Sequence, residues 1–178
     1  MGIAVEPERE QVATSASLRL ELLHGFALWH GESLVPVPAN VQRLLAFLAI
    51  RHRPQHRDSV AATLWLDCPD SRAAANLRTA LWRVRKLCDG AVVGTGGPLA
   101  LGPEVACDLG PALEPAPRPI DGPDTDVDDL DDLPCDAIVG DLGEDLLPSW
   151  SEYWVLIERE RLRQLRLHAL ESLCRKMV

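Results

Sequence analysis

The sequence has no closely spaced pair of cysteines: Cys68, Cys88, Cys107, Cys135 and Cys174 stand 20, 19, 28 and 39 residues apart. That spacing excludes a zinc ribbon or a C-x-x-C redox motif, and an odd, scattered set is the pattern of reduced thiols. The histidines form no H-E-x-x-H, so neither a metal nor a cofactor is expected. No apolar run approaches the ~20 residues of a membrane span. The first residues carry Glu6, Glu8 and Glu10, opposite in sign to a signal peptide. The expectation is a cytoplasmic, nucleoid-associated protein. Catalytic constellations are lacking too. No serine sits in a nucleophile elbow, and no glycine-rich loop leads into Lys-Ser or Lys-Thr, so the chain is not expected to be an enzyme. Lysine is nearly absent, and sixteen of the eighteen bases are arginine. Arginine suits phosphate and guanine contacts, although GC-rich coding gives the same bias.

What is present is an apolar content of 47% in 178 residues, enough for one domain and part of another. The net charge of -9 is unevenly placed. Residues 111–150 hold twelve acids and one base, a net of -11, whereas residues 43–88 hold nine bases and three acids, a net of +6. The chain thus has a basic module and an acidic one. Six prolines fall between 111 and 134, so the acidic stretch cannot run as a helix and buries little. The expected organisation is a disordered tail at 1–16, a folded module at 17–108, an acidic, Pro-rich linker at 109–143 and a helical segment at 144–178. An Asp-rich stretch could instead mimic nucleic acid and cover the basic face.

Leu18, Leu20 and Leu22 alternate with polar residues, which predicts a half-buried strand, and residues 26–37 predict two short strands joined at His30-Gly31-Glu32. From Asn40, read as an N-cap, Val41, Leu44, Leu45 and Leu48 keep helical spacing. Asp58 is expected to cap a second helix with Val60, Ala61, Leu64 and Trp65 inward. A third helix starts at Asp70 or Ser71. Ala73, Leu77, Leu81, Val84 and Cys88 share its apolar stripe, and Arg72, Asn76, Thr79, Trp82, Arg83 and Lys86 lie opposite, with Arg78 and Arg85 on a flank. Residues 91–93 and 99–101, separated by Gly94-Thr95-Gly96-Gly97-Pro98, predict a hairpin.

Residues 18–108 resemble the winged-helix DNA-binding domain of the OmpR/PhoB type, in the version used by the antibiotic regulatory proteins of actinobacteria. Asn76-Leu77-Arg78, Ala80-Leu81 and Arg83-Val84-Arg85-Lys86 are similar to the family's recognition helix. Val93-Gly94-Thr95-Gly96 is similar to the wing, and Leu64-Trp65 stands where the family has leucine-tryptophan before a loop. Gly140 to Leu173 resembles an early helical portion of the bacterial transcriptional activator domain that follows the winged helix in these regulators, so that the likeness covers about 70% of the chain. The resemblance implies an α+β fold and a sequence-specific transcriptional regulator of a biosynthetic gene cluster that binds duplex DNA.

On this reading Arg83 and Asn76 face bases, Arg72, Arg85 and Lys86 face phosphates, and Thr79 and Thr95 belong to the same surface. Trp82 either packs on a sugar or methyl edge or shields the hairpin. Leu66, Asp67 and Asp70 occupy the loop that contacts RNA polymerase in the resembled family, or form a plain turn set by Pro69. Ser149 and Glu152 read as a capping box for a last helix of up to 28 residues, about 40 Å long. That helix has one apolar stripe of Val155, Leu162, Leu165, Ala169 and Leu173 and a second of Leu156, Leu167, Leu170 and Cys174. Two stripes call for two neighbours. The expectation is self-association, or pairing with a longer relative, through Leu162, Leu165, Leu167, Leu170 and Leu173. The alternative function is an interaction or decoy protein that pairs with longer relatives and activates nothing.

Overall fold

A computed structural model describes residues 18–94, 96–109 and 145–176. Leu18 and Leu20 are buried and Arg19 faces solvent, so β1 (Leu18–Glu21) has the period-two burial its sequence predicts. It pairs antiparallel with β2 (Ala27–His30), which pairs with β3 (Ser33–Leu34). Three helices follow, α1 (Ala39–Arg51), α2 (Arg57–Leu64) and α3 (Asp70–Leu87). A hairpin of β4 (Val92–Val93) and β5 (Ala100–Leu101) comes next, and β6 (Val105–Cys107) then returns parallel to β1. The main sheet has the order β3-β2-β1-β6, and α4 (Tyr153–Lys176) closes the described chain. The fold is α+β: a winged helix whose three helices and hairpin lie in sequence between the first three strands and the last strand of a small sheet, followed by a long helix.

Strand β6 has no counterpart in the sequence reading, because three residues give no usable alternation. A contact far away in sequence holds it. The Asp108 carboxylate accepts hydrogen bonds from the backbone N–H of Leu22 (2.7 Å) and Leu23 (2.9 Å), tying the end of β6 to the end of β1. Leu109, read as the first linker residue, is instead buried in the core. The expected tail at 1–16 and the rest of the acidic segment to 143 lie outside the described residues.

The starts of α1, α2 and α4 differ from expectation, whereas α3 begins at Asp70, one of the two starts its sequence predicts. Helix α1 begins at Ala39 with Pro38 at the N-cap, and α3 begins at Asp70 with Pro69 there; neither cap residue makes a side-chain bond. Each proline has an extended backbone, with ψ of 147° in both, which launches the helix one residue before the polar side chain expected to cap it in α1. In α2 the N-cap is His56, and Asp58 lies in the first turn, where its charge complements the helix dipole. The Ser149 capping box does not form. Helix α4 begins at Tyr153 and runs 24 residues, about 36 Å, with the Glu152 carbonyl accepting from the N–H of Val155 (2.9 Å) and Leu156 (3.1 Å).

The largest departure concerns α1. Beyond the predicted stripe, Ala46, Phe47, Ala49 and Ile50 are buried as well, so that residues 44–50 are enclosed all round. Part of that enclosure comes from the C-terminal segment. The Phe47 ring meets Trp154 edge-on at 5.5 Å, Trp154 meets Trp150 at 6.2 Å, and Trp150 stacks on Phe26 at 6.3 Å. Leu147 donates its backbone N–H to the Leu22 carbonyl (2.8 Å), and the Arg159 guanidinium gathers the carbonyls of Leu146, Leu147 and Trp150 (2.7–3.1 Å). Two ion pairs lock the approach, Arg43 to Glu152 (2.7 Å) and Arg51 to Glu158 (2.8 Å). Glu158 is only 3% exposed and has Arg161 as a second, longer partner at 3.6 Å.

Removing one partner of a buried ion pair leaves a charge without compensation, whereas an exposed pair contributes little. Arg51→Ala is therefore expected to cost about 2 to 4 kcal/mol in urea unfolding of the full chain. Arg175→Ala, which breaks the exposed 4.0 Å pair with Glu171, should cost under about 0.5 kcal/mol. Equal losses from the two variants would contradict the docking of α4 on α1 through Glu158.

Candidate nucleic-acid interface

Helix α3 owes its orientation to its own amphipathicity. Ala73, Leu77, Ala80 and Val84 are buried with Cys88 just beyond the helix end, and Leu81 is half-buried beside them. From Arg72 to Leu87 the helix contains no acidic residue. Arg72, Arg78, Arg83, Arg85 and Lys86 are all exposed, as is Thr79, whose hydroxyl donates to the Ala75 carbonyl (3.0 Å). Asn76 is half-buried. Asp70 in the first turn and Arg85 and Lys86 in the last match the helix dipole, so the basic end is also the end where positive charge is favoured. Burial pushes the Cys88 thiol above its ordinary pKa, and the Cys107 thiol is pushed up to about 12, again chiefly by burial, which disfavours the thiolate at both.

Trp82 is 57% exposed near the middle of this arc, with the Lys86 ammonium 4.3 Å from its ring centroid. The pairing is a cation–π contact that fixes both side chains over the surface. Trp82 also borders a cleft of about 220 Å³ between α3 and the hairpin, whose lining it shares with Arg57, Arg78, Arg85, Val92 and Val93. Trp82 therefore stands on the α3 side of the cleft that the hairpin closes. On the other flank the Arg83 Nη1 donates to Asn40 Oδ1 (3.0 Å), joining α3 to the first turn of α1.

The hairpin is held by a residue that sequence reading counted only as a charge. Arg57, the first residue of α2, donates from Nη2 to the Gly94 carbonyl (2.7 Å) and from Nε to the Gly97 carbonyl (3.1 Å). Gln55 and Leu99 exchange two backbone hydrogen bonds of 2.7 Å, pinning the returning strand to the segment before α2. Gly94 has φ of +114°, and a Cβ there would collide with the Pro98 carbonyl, so only glycine fits. Thr95 lies outside the described residues. Local spacing gave no sign of Arg57 or Gln55, because their partners are about forty residues away; the glycine-rich turn, whose carbonyls need donors, was the available signal.

The loop between α2 and α3 projects Leu66, 71% exposed, together with exposed Asp67 and Asp70. Of the leucines assigned to dimerisation, Leu162 is buried and Leu165 half-buried against the chain's own core, so these two belong to the intramolecular packing of α4. That is a correction: the stripe they share with Val155 already has its neighbour. Leu156 (44%), Ile157 (48%) and Leu167 (46%) remain exposed, Leu170 is half-buried, and the Leu173 side chain is outside the described residues. Among the described residues no group of His, Cys, Asp and Glu side chains could hold a metal ion.

No family model matches the chain, and no curated protein matches it. Among solved structures the fold is similar to that of Mycobacterium tuberculosis EmbR in complex with a low affinity phosphopeptide, with a TM-score of 0.59 and 20% sequence identity. The match covers 86% of this chain and 43% of that one, so the chain spans less than half the length of its structural neighbour. At that identity the likeness is one of fold.

Substituting Arg57 by Ala removes two donors from the hairpin turn and is expected to cost about 1 to 2 kcal/mol of stability, with faster amide exchange at Val92 and Val93. Arg57→Lys should rescue it only in part, since one ammonium does not reproduce the guanidinium fork. Unchanged exchange in both variants would show that the turn stands without Arg57.

Proposed function

We propose that the chain is a sequence-specific, duplex-DNA-binding transcriptional regulator that reads the major groove with α3. The observation that carries this reading is the acid-free, exposed arc of α3 lying next to a braced hairpin, in a protein whose net charge is -9. A solvated helix face needs no such concentration of arginine, whereas a groove-reading helix needs cations for phosphates and forked donors for base edges. Arg83 and Asn76 are assigned to bases, with Arg83 the more accessible of the two. Arg72, Arg85 and Lys86 are assigned to phosphates, Thr79 and Trp82 to the contact surface between them, and Thr95 to the wing.

The resemblance in sequence extends the proposal to control of a biosynthetic gene cluster, with Leu66, Asp67 and Asp70 exposed where RNA polymerase would be met. A second copy of the chain is the proposed partner for the exposed side of α4, through Leu156, Ile157, Leu167 and Leu170. Nothing in the fold favours the decoy alternative.

Neutralising about four phosphates gives an expected log-log slope of affinity against salt of roughly -3 to -4. Arg83→Ala should relax preference at one base pair by ~1 to 3 kcal/mol, and Lys86→Ala should weaken all sequences alike. Competition binding to a selected duplex checks both, and an Arg83→Ala variant with unchanged preference would rule out the assignment. Separately, Leu156→Glu with Leu167→Glu should lower the sedimentation mass of the full chain at tens of micromolar, a usual range for weak association. A wild-type chain that is already monomeric there would remove the second copy from the account.

A further inference from the structure

Asn40 is free of the role its position predicts. The polar residue at the start of α1 leaves capping to Pro38, and its side chain reaches across 43 residues of sequence to accept one N–H of Arg83 at 3.0 Å. We propose that Asn40 is a positioning residue for sequence reading: its amide oxygen buttresses the Arg83 guanidinium so that the remaining N–H edge is presented to a guanine. The proposal rests on the DNA-binding reading above.

Three features of the structure support it. A guanidinium has five donors in a rigid fork, so giving one Nη1 hydrogen to Asn40 leaves Nε and Nη2, the parallel pair that guanine O6 and N7 accept. The acceptor stands on an element that cannot drift. Helix α1 is enclosed from residue 44 to 50, and its first turn is fastened by the Pro38 carbonyl, which accepts from Val41 (2.9 Å) and Gln42 (3.0 Å), and by Gln42 Nε2 donating to the Val37 carbonyl (2.7 Å). Finally, the acceptor is a neutral amide. It orders an exposed arginine, whose rotamer freedom would otherwise be lost on docking, without neutralising the cation or placing a carboxylate beside phosphates.

The test uses the full chain and a duplex selected from a random pool, with every base pair of the selected site changed in turn. Arg83→Ala identifies the pair that Arg83 reads. Asn40→Ala is expected to lower discrimination at that pair alone by about 2- to 10-fold, the range of one hydrogen bond, with thermal unfolding unchanged. In the Arg83→Ala background Asn40→Ala should have no effect on discrimination. Asn40→Asp keeps an acceptor and should preserve discrimination while weakening all sequences a few-fold through its added charge; should the alanine variant unfold, Asn40→Ser, whose hydroxyl is too short to reach Arg83, is expected to lose the discrimination in its place. Unchanged discrimination in Asn40→Ala, or a loss spread equally over all sequences as for a phosphate contact, would overturn the proposal while leaving DNA reading intact. A pool from which no sequence is enriched would overturn the reading itself and the proposal with it.

Discussion

Helix α1 has no side chain to give to solvent between Leu44 and Ile50, and a helix that is apolar all round must be enclosed on every flank. It packs on α2, α3 and β5, and Phe47 is covered by Trp154 of α4. Both other long helices therefore take their positions from the same short rod. Helix α3 touches it through the core and through Arg83 and Asn40, while the C-terminal helix touches it through the tryptophans and through Glu158 and Arg51. A buried carboxylate is costly unless matched, so the Glu158 pair fixes the register of α4 more sharply than apolar packing alone would. In this arrangement the rigidity of the α3 surface and the docking of the C-terminal segment are properties of one core.

Local patterns in the sequence carried the strands of the hairpins, the three helices of the basic module and the division of α3 into a buried stripe and a basic arc. They did so because each rests on period-two or 3.6-residue spacing within a single element. The residues missed belong to contacts between elements. Arg57 and the wing carbonyls, Asn40 and Arg83, Asp108 and the end of β1, and Glu158 and Arg51 are separated by 37 to 107 residues, and no periodicity points from one to the other. The helix starts were misplaced for a related reason. Asn40 and Asp58 have capping chemistry, but the extended prolines and His56 ahead of the helices decide where the backbone turns in. Likewise Ala46, Phe47, Ala49 and Ile50 lie off the stripe that helical spacing picks out, and part of what covers them, Trp154 on Phe47, comes from the far end of the chain.

Electrostatics sharpen the functional reading. Taken whole, a chain of net charge -9 repels nucleic acid, yet at physiological salt charges more than roughly 8 Å apart are largely screened at an exposed surface. The field that a phosphate meets at α3 is then set by Arg72, Arg78, Arg83, Arg85 and Lys86 on the helix. The braced hairpin beside them adds a second wall to the same cleft.

In the proposed function this face of α3 reads duplex DNA while α4 stays on α1. A structure of the full chain on its selected duplex tests it most directly. Helix α3 is expected in the major groove, the hairpin along the neighbouring backbone, and Trp154 still edge-on to Phe47 as in the free chain. A duplex held on any other surface, with the arginines of α3 facing solvent, would contradict it.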